Sequence, residues 1–309
     1  MPESAVGAAD PQAGSTRAGD KEPPATAGYL GPEGTFSEEA LLSSVEQDAV
    51  VPVALASIRD AVMAVQEGAV RWALVPIENS VEGSVPVTLD TLTGEAPDVS
   101  VVGEVVLPVR HHLIAREPLV LERIEAIVSH PHVPGQCTRF LSRELPHARI
   151  TAASSTAEAV RLLLEQTGDC TAAIGTELAA RLYDCTILVS GIQDREDNET
   201  RFVWLAHGDA CAQGPPLVAP AGPTNKTSIV FWGAGAGRSG WLVRCLDEFA
   251  EREINLTRIE SRPMRERLGQ YMFFVDLEGS LADAPVAAAL DGLRALCERV
   301  RVLGSYPTA

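Results

Sequence analysis

Two short stretches offer hydrogen-bond donors suited to an anion. In GPEGTFSEEA, residues 31–40, a glycine-flanked turn opens a helix. Gly34, Thr35 and Ser37 would then set amide and hydroxyl donors at the positive end of a helix dipole. PIENSVEGSV, residues 76–85, repeats the arrangement with Asn79, Ser80, Gly83 and Ser84 ahead of a second helix. Taken singly, the first reads as an ordinary N-cap and the second as a polar turn after a strand. Two such turns in one half of the chain point to an anionic ligand more than either does alone. Glu78 breaks the pattern: a carboxylate among anion-binding donors orients a neighbour or handles a proton rather than touching the anion.

Three further stretches carry polar groups of the same kind. SHPHVPGQC, residues 129–137, follows a strand and offers Ser129 and Gln136 on a turn stiffened by Pro131, Pro134 and Gly135. His130 and His132 lie two apart with no third ligand at a useful spacing, so no metal site is expected. In VRHHLIA, residues 109–115, His111 and His112 occupy a β run and should point to opposite faces, one toward a crevice and one toward core or solvent. QDREDNETRFVWLA, residues 193–206, places an acidic run, Asp194 to Glu199, before Thr200, Arg201 and an apolar strand. The run itself reads as a solvated loop.

These groups need a frame. From residue 27 the chain alternates short apolar strands (27–30, 50–55, 71–79, 99–115) with helical segments at 35–45, 58–68 and 84–92. Ser57 with Asp60, and Ser155 with Glu158, mark helix starts. A second set follows, with strands at 125–130, 148–151, 170–175 and 186–190, helices at 133–145, 156–166 and 176–183, and 200–206 closing the segment. Alternating βα units imply α/β architecture, a mainly parallel sheet with helices on both faces. Two sets imply two lobes with a crevice between, the usual place for a ligand. A Pro/Gly linker, 213–225, leads to strand–helix–strand–strand–helix–strand over 226–307, the ferredoxin-like βαββαβ order of an α+β domain.

Composition bounds the function. The chain has 309 residues, 46% hydrophobic, with a formal charge of −17. Residues 1–26, poor in large apolar side chains, are expected to form a disordered tail. The acidity belongs to the folded part and argues against nucleic acid and anionic membranes as partners. No apolar run approaches the roughly 20 residues of a membrane span, and no secretory leader is evident, so a cytoplasmic protein is expected. The six cysteines, Cys137, Cys170, Cys185, Cys211, Cys245 and Cys297, show no metal-binding spacing and read as small core residues.

In their order along the chain, YLGPEGTFSEEA, PIENSVEGSV, PVRHHLIA, SHPHVPGQC and NETRFVWL resemble the prephenate dehydratase family. LTRIESRP, residues 256–263, resembles the hallmark of that family's C-terminal ACT regulatory module. The resemblance spans about residues 28–307. It implies a two-lobed, type II periplasmic-binding-protein-like catalytic domain over 27–212 and an ACT domain over 226–307. It also implies a lyase of phenylalanine biosynthesis that takes prephenate to phenylpyruvate without metal or other cofactor.

By position, the family's catalytic threonine is Thr200, expected to contact the leaving hydroxyl while His111 or Glu78 supplies or relays the proton. Thr35, Ser37, Asn79, Ser80, Gly83, Ser84, Ser129, Gln136 and Arg201 are the expected substrate contacts, with Phe202 walling the ring. The resemblance further implies phenylalanine as effector at a subunit interface, in a homodimer or homotetramer. Its contacts would be Gly240, Trp241, Leu242, Val243, Asn255, Leu256, Glu260, Ser261, Arg262 and Pro263. Two departures stand out: GWLV replaces the usual GALV, putting Trp241 at the effector loop, and HPH replaces HPQ, putting His132 where a glutamine is usual. Arogenate or cyclohexadienyl dehydratase activity is the near alternative. A two-lobed anion sensor without chemistry is the distant one.

Overall fold

The structure is a computed structural model that describes residues 25–165, 170–218, 224–233, 237–265 and 267–309. Apart from Ala25 and Thr26, the expected tail lies outside the described residues. Those two belong to the first strand, which starts earlier than the sequence pattern suggested.

The first lobe is built from β1 (Ala25–Leu30), α1 (Phe36–Ser44), β2 (Val50–Leu55), α2 (Ile58–Gln66), β3 (Trp72–Asn79), the short β4 (Gly83–Ser84), α3 (Pro86–Gly94) and β5 (Val99–Pro108). β1, β2 and β3 are parallel, as apolar runs joined by crossover helices dictate. The second lobe holds β6 (His112–Ala115), β7 (Ala126–Ser129), α4 (Thr138–Glu144), β8 (Arg149–Ala152), α5 (Thr156–Arg161), β9 (Thr171–Gly175), α6 (Glu177–Leu182) and β10 (Thr186–Val189). Its sheet order is β10-β6-β9-β7-β8, parallel at β7–β9 and antiparallel at β6 and β10. Both expected capping serines are in place: Ser57 accepts from the Asp60 amide at 3.1 Å and Ser155 from the Glu158 amide at 2.9 Å.

Two expectations about connectivity are corrected. The β run 99–115 is not one strand; it divides at Val109–His111, where the chain crosses from the first lobe to the second. β11 (Glu199–His207) does not close the second lobe but returns to the first, inserted antiparallel between β3 and β5. From Phe202 on, its sequence is apolar on both faces because both are covered, by α1 on one side and by α2 and the C-terminal domain on the other. The two crossings bring His111 and Asn198 to the junction of the lobes. The lobes also touch directly, with Thr176 Oγ1 donating to the Gly34 carbonyl at 2.6 Å. Gly34 has φ +83°, and a Cβ there would sit 3.1 Å from Ala179, so backbone conformation and interlobe contact both demand glycine.

After α7 (Ala210–Gln213) come β12 (Asn225–Trp232), α8 (Trp241–Ala250), β13 (Leu256–Pro263), β14 (Tyr271–Glu278), α9 (Ala284–Leu296) and β15 (Arg299–Pro307). The antiparallel sheet order β13-β14-β12-β15 is the ferredoxin-like arrangement. Its helices pack on one face through Phe231, Cys245, Phe249 and Leu293. Its other face, with Val230, Phe274, Leu303 and Tyr306, joins Val101, Val203 and Leu205 of the first lobe in one core. The approach is close at β15: a Cβ on Gly304 would lie 2.1 Å from the Val101 carbonyl oxygen. Among the described residues no helix is long and apolar enough to cross a membrane.

Candidate active site

Thr200 and Asn79 are direct partners in the β11–β3 ladder, so their side chains leave the sheet on the same face. Asn79 Nδ2 donates to Thr200 Oγ1 at 2.9 Å, to Asn198 Oδ1 at 2.9 Å and to the Glu199 carbonyl at 3.1 Å. Its Oδ1 accepts from the Val81 and Glu82 amides, both at 2.9 Å, which fixes the orientation of the whole amide group. Because Thr200 Oγ1 is an acceptor in this contact, its own proton is left to donate elsewhere.

A second polar chain crosses between the lobes. His111 Nε2 meets Gln136 Oε1 at 3.0 Å, and Asn198 Nδ2 donates to the same oxygen at 3.1 Å. Gln136 Nε2 donates to Glu82 Oε1 at 2.9 Å. Since Gln136 presents an acceptor, His111 carries its hydrogen on Nε2. Its buried Nδ1 has no partner among the described residues. Burial pushes the His111 pKa below the ordinary histidine value, against a smaller upward pull from the Gln136 hydrogen bond. The ring is therefore neutral near pH 7, with Phe36 edge-on at 5.6 Å.

Thr35 is the N-cap of α1. Its hydroxyl donates to the Leu30 carbonyl at 3.1 Å and accepts from the Glu38 amide, while Glu38 Oε2 accepts the Gly34 amide at 2.5 Å. The Gly34 amide and the Thr35 hydroxyl, both expected as free donors, are thus consumed by the cap. The Phe36 and Ser37 amides, first in the helix, have no partner among the described residues and remain available.

These groups line one cavity of about 540 Å³ at the carboxyl ends of β1 and β3, between the lobes. Thr35, Ser37, Asn79, His111, Gln136 and Thr200 all border it, as expected from the sequence. No lysine or arginine is among the described residues that line it, and Glu82 is its carboxylate. An anion held here meets amides, hydroxyls, carboxamides and imidazole rings rather than a lysine or arginine. A larger groove of about 900 Å³, by Arg71 and His207, lies at the opposite, amino ends of the same strands and holds none of these groups.

Several expected residues lie elsewhere. Strand alternation sends Glu78 and Arg201 to the back of the sheet, opposite Asn79 and Thr200. There Arg201 pairs with Glu78 at 2.8 Å, so neither touches the cavity and Glu78 cannot serve as its proton donor. Ser84 faces the same side and bonds Arg258 and Glu260. Phe202 shares the Thr200 face but lies deeper, in the core under α1 with Tyr29 and Leu41. Ser80 fastens the loop instead, donating to the Asp197 carbonyl and accepting from the Glu199 amide, both at 3.0 Å. Gly83 supplies a turn at φ +85°, and Ser129 is fully buried, donating weakly to the His130 carbonyl at 3.3 Å.

The acidic run is not a purely solvated loop. The Asp194 carboxylate accepts the Thr138 and Arg139 amides, both at 2.9 Å, capping α4. Residues bordering the cavity that sequence reasoning did not assign to the substrate include Phe36, Glu82, His130, His132, Ser154, Ser155, Thr156 and Asn198. Asn198 was passed over as part of the acidic run, although an uncharged residue within it was the available signal. His132 stacks edge-on with His130 at 5.2 Å and sits 3.7 Å from Glu82.

The expected effector residues gather around one domain: Leu256 and Leu242 pack on the core that holds Trp241, and Ser261 and Pro263 pair in register with Phe273 and Tyr271. Gly240 to Val243 border a 240 Å³ groove with Tyr271 and Phe273. Trp241 is nevertheless buried: its Nε1 donates to the Leu296 carbonyl at 2.9 Å, and its ring packs on Phe231 and Phe273. The larger ring fills the domain's interior. Asn255 bonds Glu278 at 3.0 Å, next to the half-buried Leu256. On edge strand β13, Glu260 and Arg262 turn toward the first lobe, where Arg262 forks onto Asp90 with two bonds of 2.8 Å. Ser261 and Pro263 are exposed.

A family model described as prephenate dehydratase matches residues 27–210. A prephenate dehydratase of Amycolatopsis methanolica is 40% identical over 91% of this chain and 88% of its own length. One from Mycobacteroides abscessus is also 40% identical, over 90% and 89%. The crystal structure of an Arthrobacter aurescens prephenate dehydratase in complex with L-Phe superposes with a TM-score of 0.80 at 36% identity, covering 91% of this chain and 90% of that one.

Proposed function

The chain belongs to the prephenate dehydratase family, and from that premise we propose how its interlobe cleft works. It is a lyase: prephenate loses its ring carboxylate as carbon dioxide and its C4 hydroxyl as water, leaving phenylpyruvate. The dianion takes up one proton, since its C4 oxygen must leave as water. Electrons of the breaking carbon–carboxylate bond fill the ring as the carbon–oxygen bond opens, so aromatisation drives both losses.

In our reading Thr200 donates its hydroxyl hydrogen bond to the departing oxygen. The observation that carries this is the Asn79 contact, which occupies Thr200 Oγ1 as an acceptor and leaves its proton for the cavity. A donor aimed where charge develops in the transition state is the most effective form of electrostatic catalysis. The proton of the departing water comes from solvent. His111, held neutral by burial, orients Gln136 rather than acting as the acid. The side-chain carboxylate lies at the Phe36 and Ser37 amides, Phe36 walls the ring, and Gln136 with Asn198 closes the second-lobe side. The ring carboxylate meets no lysine or arginine, which favours its departure: a tight ion pair would stabilise the ground state.

The C-terminal domain, on this reading, is an ACT module that binds phenylalanine between subunits of a cytoplasmic homodimer or homotetramer. Two features support it: the L-Phe complex of the Arthrobacter relative, and the ferredoxin-like sheet order of this domain. Incubating the purified protein with prephenate and with arogenate, and reading phenylpyruvate by its absorbance in base, tests the activity and the substrate choice. Absence of turnover on both would refute it. Unchanged activity and sedimentation at saturating phenylalanine would refute the regulatory part.

A further inference from the structure

Behind the cleft, the dipeptides Glu78-Asn79 and Thr200-Arg201 face each other across two paired strands. The pair is fastened on both faces. In front, Asn79 bonds Thr200 at 2.9 Å; behind, Glu78 bonds Arg201 at 2.8 Å. The β3 ladder shifts register immediately afterwards, between Arg201 and Phe202, while the β5 ladder runs in register past both residues, so on the β3 side these side-chain bonds supplement the sheet's own. The Arg201 guanidinium also reaches Glu104 at 3.1 Å and, in the C-terminal domain, Asp276 at 2.5 Å. Asp276 is held in turn by Ser228 at 2.6 Å. Burial works against the charge on Arg201, but Asp276 and Glu78 outweigh it and push its pKa above the usual arginine value. Arg258, on edge strand β13, shares Glu78 at 3.1 Å and bonds Glu260.

We propose that Arg201 is a positioning residue for Thr200, locked behind the cleft by a carboxylate cage that the C-terminal domain completes with Asp276. The cage gives that domain a mechanical hold on the catalytic strand. A ligand or second subunit that takes Glu260 draws on Arg258, and through it on the carboxylate that faces Arg201. The inference rests on reading Thr200 as the donor in the cleft.

The test is steady-state kinetics on the full chain with Asp276→Asn, which keeps side-chain volume and removes the charge. Misdirection of a catalytic group from a distance costs up to about 100-fold, so kcat should fall by roughly 10- to 100-fold with little change in KM. The same substitution in a Thr200→Val background should cause no further loss, because no hydroxyl remains to be aimed. Equal losses in the two backgrounds, or an effect confined to KM or to thermal stability, would overturn the proposal. Should Asp276→Asn not fold, Ser228→Ala frees the carboxylate while keeping its charge; a reduced kcat supports the proposal and an unchanged one overturns it. Wild-type protein inactive on prephenate would instead refute the reading of the cleft, whereas active wild type with an equally active Asp276→Asn refutes this inference alone.

Discussion

Thr200→Val isolates the hydroxyl. Valine matches threonine in shape and suits a strand, so β11 should keep its place between β3 and β5. The structure sets the size of the two expected effects. Asn79 Nδ2 has two hydrogens and three acceptors within reach, at 2.9, 2.9 and 3.1 Å. Removing Thr200 Oγ1 therefore leaves Asn198 and the Glu199 carbonyl to take both hydrogens, and no buried donor is orphaned. Stability should fall by no more than the ~1 kcal/mol net worth of one hydrogen bond. The loss in rate should be much larger: a donor placed against developing charge is worth about 100- to 1000-fold in kcat, or about 2.7–4 kcal/mol. Initial rates of phenylpyruvate formation, run beside thermal unfolding of the same samples, separate the two. A kcat within about threefold of wild type, in protein that melts normally, would show that the hydroxyl contributes under 1 kcal/mol and that the mechanism proposed here is wrong.

Other substitutions test the frame around it. Gln136→Ala removes the acceptor shared by His111 and Asn198; leaving such donors unpaired should cost about 1–3 kcal/mol, visible as a lower unfolding midpoint and a lower kcat/KM, and wild-type behaviour in both would contradict the bridge. His111 should make stability pH-dependent. Its folded pKa lies below the ordinary value of 6.5, so the unfolded chain takes the proton first; the stabilisation is complete above 6.5 and is lost as pH falls through the folded value. Denaturant midpoints measured across that window should drop less steeply for His111→Gln, and an unaltered slope would speak against the buried neutral ring. Trp241→Ala should open a cavity in the C-terminal domain costing about 3–5 kcal/mol. Faster thiol labelling of buried Cys245, which packs in the same core, is the companion readout; an unchanged labelling rate would place the ring outside it.

The expectations that held share a physical basis. Helix starts at Ser57 and Ser155 and the βαββαβ order of the C-terminal domain follow from caps and periodicity, which are local. Thr35, Asn79, Gln136 and Thr200 could be collected for one cleft because strand ends and helix starts tend to meet at the same edge of an α/β sheet. Two losses of free donors, the Gly34 amide and the Thr35 hydroxyl, also had a local cause, the reciprocal cap with Glu38.

The sequence by itself determined most of the elements and their order, the net acidity and the polar residues that could serve a cleft, because each depends on composition or on neighbours within a few positions; the division of 99–115 into two strands was not among them. Tertiary structure decided which of those residues point inward. Adjacent residues of a strand face opposite ways, so Thr200 and Arg201 part company at one peptide bond, one entering the cavity and the other an ion-pair cage shared with Asp276. Which face is the cleft depends on where β11 inserts and on what covers its back. Both are settled by packing between segments far apart in the chain, and no local pattern encodes that choice.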